Sequence, residues 1–184
     1  DYTDTVTVGA KAAQLGEACQ MGGVIRTPGG FAIPFFQYLR HLERAGVAAG
    51  IAQMLGDDAF RSDARVREQN LAQLRAAIER TPVDPRLLRA LRTRLGEFPG
   101  SPRVILRSST NAEDLPGFTG AGLYRSLIVG GNATDDEIAN ALRGVWASVW
   151  LQGAYEEREW YRIDHRQVGM AVLVQPLVDG AFAN

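Results

Sequence analysis

Cysteine is almost absent from this sequence: Cys19 is the only one in 184 residues, so no internal disulfide can form. No CxxC pair or His/Cys cluster has the spacing of a zinc site. Long apolar runs are also missing, since the longest, such as residues 170–174, span about five residues where a membrane helix needs about 20. These absences exclude disulfide scaffolds, zinc fingers and transmembrane helices, and they favour a reducing, cytoplasmic location.

The sequence has no excess of charge of either sign. Its 20 Lys and Arg residues oppose 21 Asp and Glu residues, which gives a net charge of −1. We therefore expect neither nucleic acid nor a membrane as a partner, and any anion site must be local. With 46% hydrophobic residues the chain can bury the core of one domain. Because it opens on Asp1 and closes on Asn184 within an apolar pattern, we expect a domain truncated at both ends.

The order of helical and strand patterns predicts an α+β domain in which a helical segment is inserted between mixed-sheet parts. In the first part, residues 1–100, a helix over 9–21 precedes a short strand over 31–33. Residues 34–97 then form three or four helical pieces, with Pro34 as the first helical residue. A Pro-Gly-Ser-Pro turn ends this part, because it cannot continue a helix.

Strand patterns dominate the second part, residues 101–184, and occur at 104–106, 123–129 and 171–174. The last of them is ended by a Gln-Pro pair. Between the first two lies a loop of roughly fifteen residues, 107–122, and loops longer than about 12 residues are usually functional or disordered in compact domains.

One long helix is predicted between these strands. Thr134 and Glu137 have the spacing of a capping box, and the apolar pattern that follows continues to about Arg162. Trp146 and Trp150, four residues apart, indicate a core face. Residues 156–159 have the charge pattern of a solvated face.

The loop 107–122 has the composition of a phosphate-binding loop. Arg107 supplies a forked guanidinium that can chelate phosphate oxygens. Glycines let backbone N–H groups approach an anion, and three follow Arg107, at Gly117, Gly120 and Gly122. The loop is neither a Walker A motif nor a dinucleotide fingerprint. A hairpin loop in which Arg107 pairs with Glu113 or Asp114 explains the same composition, so both interpretations stay open.

Four other polar residues have a possible functional interpretation. Lys11 lies in a first helical turn, where a bound phosphate would reverse its unfavourable interaction with the helix dipole; a solvated lysine is the simpler alternative. Gln175 follows a buried strand and could read the edge of a base, or it is only a polar strand end. His41 and His165 have no recognisable catalytic partner in the sequence.

Five ordered motifs together resemble one known family. They are residues 9–17 (GAKAAQLGE), 27–33 (TPGGFAI), 107–117 (RSSTNAEDLPG), 146–148 (WAS) and 170–175 (MAVLVQ). This series is similar to the N-terminal, PEP/pyruvate-binding domain of the phosphoenolpyruvate synthase and pyruvate phosphate dikinase family. The resemblance implies an incomplete ATP-grasp-like nucleotide-binding fold and covers nearly the whole chain.

The resemblance also implies a set of site residues. Lys11 and Arg107 would contact the phosphates of ATP and stabilise charge during phosphoryl transfer. The loop from Gly117 through Thr119 and Gly120 to Gly122 would fold over them. Gln175, with the backbone near Leu177, would face adenine. No metal ligand is assigned in this chain, because the family's acidic Mg²⁺ ligands would lie beyond residue 184.

The reaction implied for a full-length parent passes phosphate from ATP to a phosphohistidine domain of the same chain and then to pyruvate or a related acceptor. A rifampin-type antibiotic phosphotransferase and a glucan water dikinase-like domain are alternatives with the same fold. A non-catalytic nucleotide-sensing module is an alternative of another class, although Lys11 and Arg107 argue against it. We expect the 184-residue chain alone to be inactive.

Overall fold

The computed structural model describes residues 5–21, 27–112, 120 and 122–178. Within these residues the helices are α1 (Thr5–Gln20), α2 (Phe35–Arg44), α3 (Ala48–Gly56), α4 (Asp58–Ser62), α5 (Ala64–Arg80), α6 (Pro85–Gly96), α7 (Asp135–Ala147) and α8 (Gln152–Trp160). The strands are β1 (Phe31–Ile33), β2 (Val104–Thr110), β3 (Leu127–Val129) and β4 (Met170–Pro176). Short 3₁₀ helices cover Ser148–Trp150 and His165–Gln167. The α+β class is therefore confirmed.

The four described strands form one sheet in the order β1-β4-β2-β3. All of its neighbouring strands are antiparallel, so the prediction of mixed-sheet parts is wrong for this portion of the chain. The short strand predicted at 31–33 is confirmed as β1, which pairs with β4 through Ala32 and Leu173. Residues from both parts of the sequence therefore share one sheet.

The two faces of this sheet are covered by different helices. Successive strand residues point to opposite faces, so Leu106 and Arg107 lie on different sides of β2. Leu106 pairs with Leu127, whose side chain lies beneath α7 at Gly144. Helix α1 packs on β2 and β4 from the opposite side, where its Gly9 contacts Ser109. The α1 face therefore carries Arg107, and the α7 face holds the main core.

Both long strands extend further than their apolar residues predict. β2 continues through Thr110, so Arg107 lies within a strand and not at the start of a loop. β4 includes Gln175, which pairs with Ile105, and Pro176. Both strands are longer because the backbone of β2 pairs with the backbone of β4 over seven residues, and polar side chains do not prevent backbone pairing. The strand predicted at 123–129 is shorter, since only Leu127–Val129 pairs with β2.

The helical segment has more pieces than predicted. Residues 34–97 contain five helices, α2 to α6, and Pro34 is the N-cap of α2 while Phe35 is its first helical residue. The additional break occurs at Asp63, whose carboxylate accepts hydrogen bonds from the backbone N–H groups of Arg65 and Val66 and so begins α5. Asp57 and Asp84 cap α4 and α6 in the same way.

The single long helix predicted up to Arg162 is wrong. The capping box of Thr134 and Glu137 is confirmed, but α7 ends at Ala147. A 3₁₀ turn follows, and the extended backbone of Leu151 separates it from α8. The two core tryptophans stay buried on either side of the end of α7, since Trp146 is 0% and Trp150 1% exposed.

One residue of the predicted solvated face, Arg158, is completely buried. Its guanidinium donates to Nδ1 of His165 at 3.2 Å, to the Tyr124 hydroxyl at 3.1 Å and to the Val149 carbonyl at 2.8 Å. The prediction for Arg158 was wrong because charge patterns in a sequence do not show which charges find buried acceptors. Across the described residues, none of the helices is both long and apolar enough to cross a membrane.

Candidate functional site

Arg107 and Gln175 meet on the α1 face of the sheet. Arg107 stands opposite Leu173 in the β2–β4 ladder, two positions from the pair of Ile105 and Gln175, so the two pairs share one face. The Arg107 Nη1 donates to Gln175 Oε1 at 3.2 Å. Arg107 is exposed, whereas Gln175 is only 5% exposed. The structure therefore places a solvent-facing guanidinium on a buried amide that fixes one of its nitrogens.

The Pro-Gly-Gly turn before β1 holds the other end of that amide. Gln175 Nε2 lies 3.5 Å from the Gly29 carbonyl oxygen. A Cβ at Gly30 would lie 2.5 Å from the Val174 carbonyl oxygen, closer than real Cβ contacts come, and a tight 3.0 Å from Gln175 Cγ. Glycine at position 30 is therefore needed for the turn to approach β4 this closely. The sequence indicates the turn but not this contact.

The start of α1 approaches β2 on the same face. The helix is broken at Gly9, whose φ of 78° and ψ of 168° are not helical, and a regular turn resumes at Ala10. Ser109 Oγ donates to the Val8 carbonyl at 2.7 Å and accepts from the Ala12 N–H at 3.1 Å. Lys11, partly buried, lies in this resumed first turn, as predicted from the sequence. Lys11 and Arg107 thus belong to two elements joined by Ser109.

The segment that leaves β2 is firmly anchored before the glycine-containing loop. Asn111 donates from Nδ2 to the Gln167 carbonyl at 2.7 Å, and its Oδ1 accepts from the Gly169 N–H at 2.9 Å. The Thr110 hydroxyl accepts from the Ala112 N–H at 3.1 Å. These contacts tie the end of β2 to the residues that precede β4, and apart from its place in the 107–117 motif no sequence pattern singles out Asn111 for this role.

Much of the predicted phosphate loop lies outside the described residues. This applies to Gly117 and Thr119, and also to Glu113 and Asp114 of the alternative hairpin interpretation. At the far end, the buried Gly120 accepts from the Leu123 N–H through its carbonyl at 3.3 Å. Gly122 is exposed with a φ of 80°, and open space surrounds the position of a side chain there.

The backbone predicted to contact adenine is partly engaged within the sheet. Leu177 follows β4, and its N–H donates to the Arg103 carbonyl at 2.8 Å. Gln175 is likewise engaged, since its Oε1 accepts from Arg107. In this conformation the Gln175 amide contacts Arg107 through Oε1 and the Gly29 carbonyl through Nε2.

Neither histidine lies at this site. Nε2 of His41 is 2.9 Å from the Ile78 carbonyl oxygen, and its ring packs on Trp146 with centroids 4.8 Å apart. His165 Nε2 lies 2.9 Å from Glu159 Oε2, and its Nδ1 accepts from Arg158. Burial lowers the pKa of both imidazoles. Both histidines pack within the described core as neutral rings.

No group of three or more His, Cys, Asp or Glu side chains that could hold a metal is found in the described part of the chain. The expectation that the Mg²⁺ ligands lie beyond residue 184 therefore stays a prediction. The two candidate phosphate ligands on these elements, Lys11 and Arg107, are cations, which suit the anionic phosphates themselves.

The model of the pyruvate phosphate dikinase AMP/ATP-binding domain matches residues 5–183. The chain belongs to this family. The resemblance seen in the five motifs is thereby confirmed, and with it the expectation of a nucleotide-binding domain.

Curated relatives agree with this membership. The chain is 34% identical over 177 residues to a phosphoenolpyruvate synthase of Aeropyrum pernix, covering 93% of the chain and 21% of that protein. It is 30% identical to the phosphoenolpyruvate synthase of Escherichia coli, covering 98% of the chain and 23% of that protein. A rifampicin phosphotransferase of Streptomyces is 29% identical, over 97% of the chain and 20% of that protein. The chain thus spans about a fifth of the length of these relatives.

Proposed function

We propose that this chain is the ATP-binding portion of a phosphotransferase of the phosphoenolpyruvate synthase and pyruvate phosphate dikinase type, with an ATP-grasp-like fold. The observation that carries the proposal is the joining of two cation-bearing elements on one sheet face. Arg107 extends from β2, and Lys11 lies in the turn of α1 that Ser109 of the same strand caps. Family membership supports nucleotide as the anion.

The phosphates of ATP are proposed to lie over this face. A helix N-terminus carries partial positive charge and favours an anion, and Lys11 adds a full charge there. Arg107 can hold two phosphate oxygens with its remaining N–H groups while Gln175 holds its Nη1. The loop from Gly117 to Gly122, including Thr119 and Gly120, is proposed to cover the phosphates with backbone N–H groups.

The adenine is proposed to lie beyond Gln175, near the Gly29 carbonyl and the backbone of Leu177. The Leu177 N–H already donates to the Arg103 carbonyl. The base would therefore contact other backbone groups near Leu177, or it would replace Arg103 as the partner of this N–H. Gln175 is proposed to contact the base and also to hold Arg107, since its amide lies between the Gly29 carbonyl and the Arg107 guanidinium.

In the full-length parent, phosphate is proposed to pass from ATP to a phosphohistidine domain of the same chain and then to pyruvate. Transfer of this kind depends on positioning and charge neutralisation, so Lys11 and Arg107 act as electrostatic stabilisers, not as acids or bases. Mg²⁺ would be supplied with ATP and held by residues beyond 184. The rifampicin phosphotransferase relative supports an antibiotic acceptor as a second candidate.

The test is substitution of Arg107 in the full-length protein. Loss of a charge-assisted contact costs about 1.5–3 kcal/mol, so Arg107→Ala should weaken ATP binding or turnover at low ATP by roughly tenfold or more. Arg107→Lys should recover only part of this, because an ammonium lacks the planar fork. Arg65→Ala removes the same charge from an exposed position on α5 and should leave ATP affinity unchanged. An unchanged ATP response in Arg107→Ala would remove Arg107 from the site.

A second measurement tests how much of the site this chain holds. Isothermal titration with Mg-ATP should show weak or undetectable binding to residues 1–184 and clear binding to a longer chain that includes the following lobe. The reason is that one face of the nucleotide would stay in water, where Lys11 and Arg107 act at high dielectric. Micromolar binding by residues 1–184 alone would show that the site needs no second lobe.

A further inference from the structure

A buried hydroxyl joins the two elements that carry the candidate cations. Ser109 is 0% exposed, and its Oγ bridges the break in α1, donating to Val8 and accepting from Ala12. A Cβ at Gly9 would lie 2.6 Å from the backbone carbon, carbonyl oxygen and Oγ of Ser109. The chain can approach β2 this closely only because position 9 is glycine.

This hydroxyl takes the place of an N-cap. The first N–H groups of a helix have no carbonyl partner within it, and normally a Ser, Thr, Asp or Asn just before the helix accepts one of them. Gly9 occupies that position here and has no side chain. Ser109, 97 residues after Ala12 in the sequence, supplies the acceptor from a neighbouring strand.

The same strand residue lies two positions from Arg107 on one face of β2. The cap therefore fixes the first turn of α1, which contains Lys11, to the strand that carries Arg107. Since Oγ contacts both sides of the break, rotation or sliding of this turn over β2 would break two hydrogen bonds at once.

We propose that Ser109 is a positioning residue for the phosphate subsite: its hydroxyl holds the Lys11 turn of α1 at the correct place relative to Arg107. The proposal rests on the proposed function, because it assumes that both elements contact the phosphates. Ser109 is completely buried against α1, so it would affect binding through the placement of these groups.

The test compares Ser109→Ala with Ser108→Ala in the full-length protein. Ser108 is 2% exposed on the opposite face of the same strand, so it controls for loss of a buried hydroxyl from β2. Affinity is measured for ATP and, by competition, for adenosine, which lacks phosphates. Ser109→Ala should weaken ATP binding roughly tenfold, the scale of a lost helix cap, and leave adenosine binding unchanged. Ser108→Ala should change neither affinity.

Two further variants keep the proposal testable if Ser109→Ala does not fold. Ser109→Thr retains the hydroxyl and should keep ATP affinity within about threefold of wild type, whereas Ser109→Cys retains the size but only a weak donor and acceptor and should resemble the alanine variant. Unchanged ATP affinity in Ser109→Ala or Ser109→Cys would overturn the proposal, and so would an equal loss for ATP and adenosine, which indicates general destabilisation. Failure of the wild-type protein to bind ATP would instead refute the proposed function.

Discussion

Replacement of the buried Arg158 by methionine should strongly destabilise the folded chain. Arg158 is completely buried, and its three hydrogen bonds go to neutral acceptors: His165, Tyr124 and Val149. Its guanidinium also lies over the Tyr124 ring, with Cζ 5.9 Å from the centroid. Methionine fills similar space but leaves these acceptors unpaired.

The size of the effect follows from these contacts. Three charge-assisted bonds at about 1.5 kcal/mol each would give about 4.5 kcal/mol, and removing a buried charge returns part of its desolvation cost. We therefore expect a loss of about 3–4 kcal/mol, or a fall in Tm of roughly 6–16 °C for a chain of this length. Arg158→Lys should lose almost as much, because one ammonium cannot reach three separated acceptors.

Urea unfolding followed by circular dichroism, with a thermal scan beside it, measures this change. Arg65→Met on the exposed surface of α5 is the matched control and should change the free energy of unfolding by less than about 0.5 kcal/mol. A free energy of unfolding for Arg158→Met within about 1 kcal/mol of the wild-type value would contradict this. It would show that the three hydrogen bonds of the buried guanidinium do not hold α8 in place.

Two further predictions concern the fold. Gly131→Ala should lower the free energy of unfolding by more than about 2 kcal/mol, because a Cβ there would lie 1.7 Å from the Ser101 carbonyl oxygen. Gly130→Ala is the control and should be nearly neutral, since its Cβ would meet nothing within 4 Å; equal urea midpoints for the two variants would contradict this. Acidification from pH 7 to pH 5 should lower the free energy of unfolding, because the folded chain lowers the pKa of His41 and His165 and the unfolded chain therefore binds more protons below about pH 6.5. Stability that is flat or rising over this range would show that the two imidazoles are not buried as neutral rings.

The sequence predicted features that depend on neighbours in the chain. The capping box of Thr134 and Glu137 is local chemistry and is confirmed, as is the burial of Trp146 and Trp150 on one helical face. The short strand at 31–33 and the buried strand near 171–174 are confirmed as well, since turn residues bound them.

Features that depend on distant partners could not be predicted. The Arg-Ser-Ser-Thr run has the composition of a loop, and only its pairing with β4 makes it a strand. The carboxylate-rich surroundings of Arg158 in the sequence suggest a solvated face, whereas its actual partners are a ring nitrogen, a hydroxyl and a carbonyl. The sequence does not distinguish Ser109 from Ser108 and Thr110, because its partners Val8 and Ala12 come from α1, about 100 residues earlier in the chain.

The candidate site was predicted in part for the same reason. Arg107, Lys11 and Gln175 could be selected by residue type and by their motifs, and the first and last of these are in contact. That Gln175 holds Arg107, and that Gly30 brings a turn against it, required the register of β2 and β4 and the close packing of the turn.

Amide chemical-shift mapping would show whether nucleotide phosphates lie over the start of α1 and Arg107. The ¹⁵N-labelled chain is titrated with ATP and Mg²⁺ to millimolar concentration, so that weak binding is still observed. The largest changes should occur at the backbone amides of Ala10 and Lys11 and at the side-chain Nε–H of Arg107, and adenosine should not reproduce them. Changes confined instead to the groove of about 970 Å³ lined by residues such as Arg61 and Trp160 would show that the nucleotide binds there and not over α1 and Arg107.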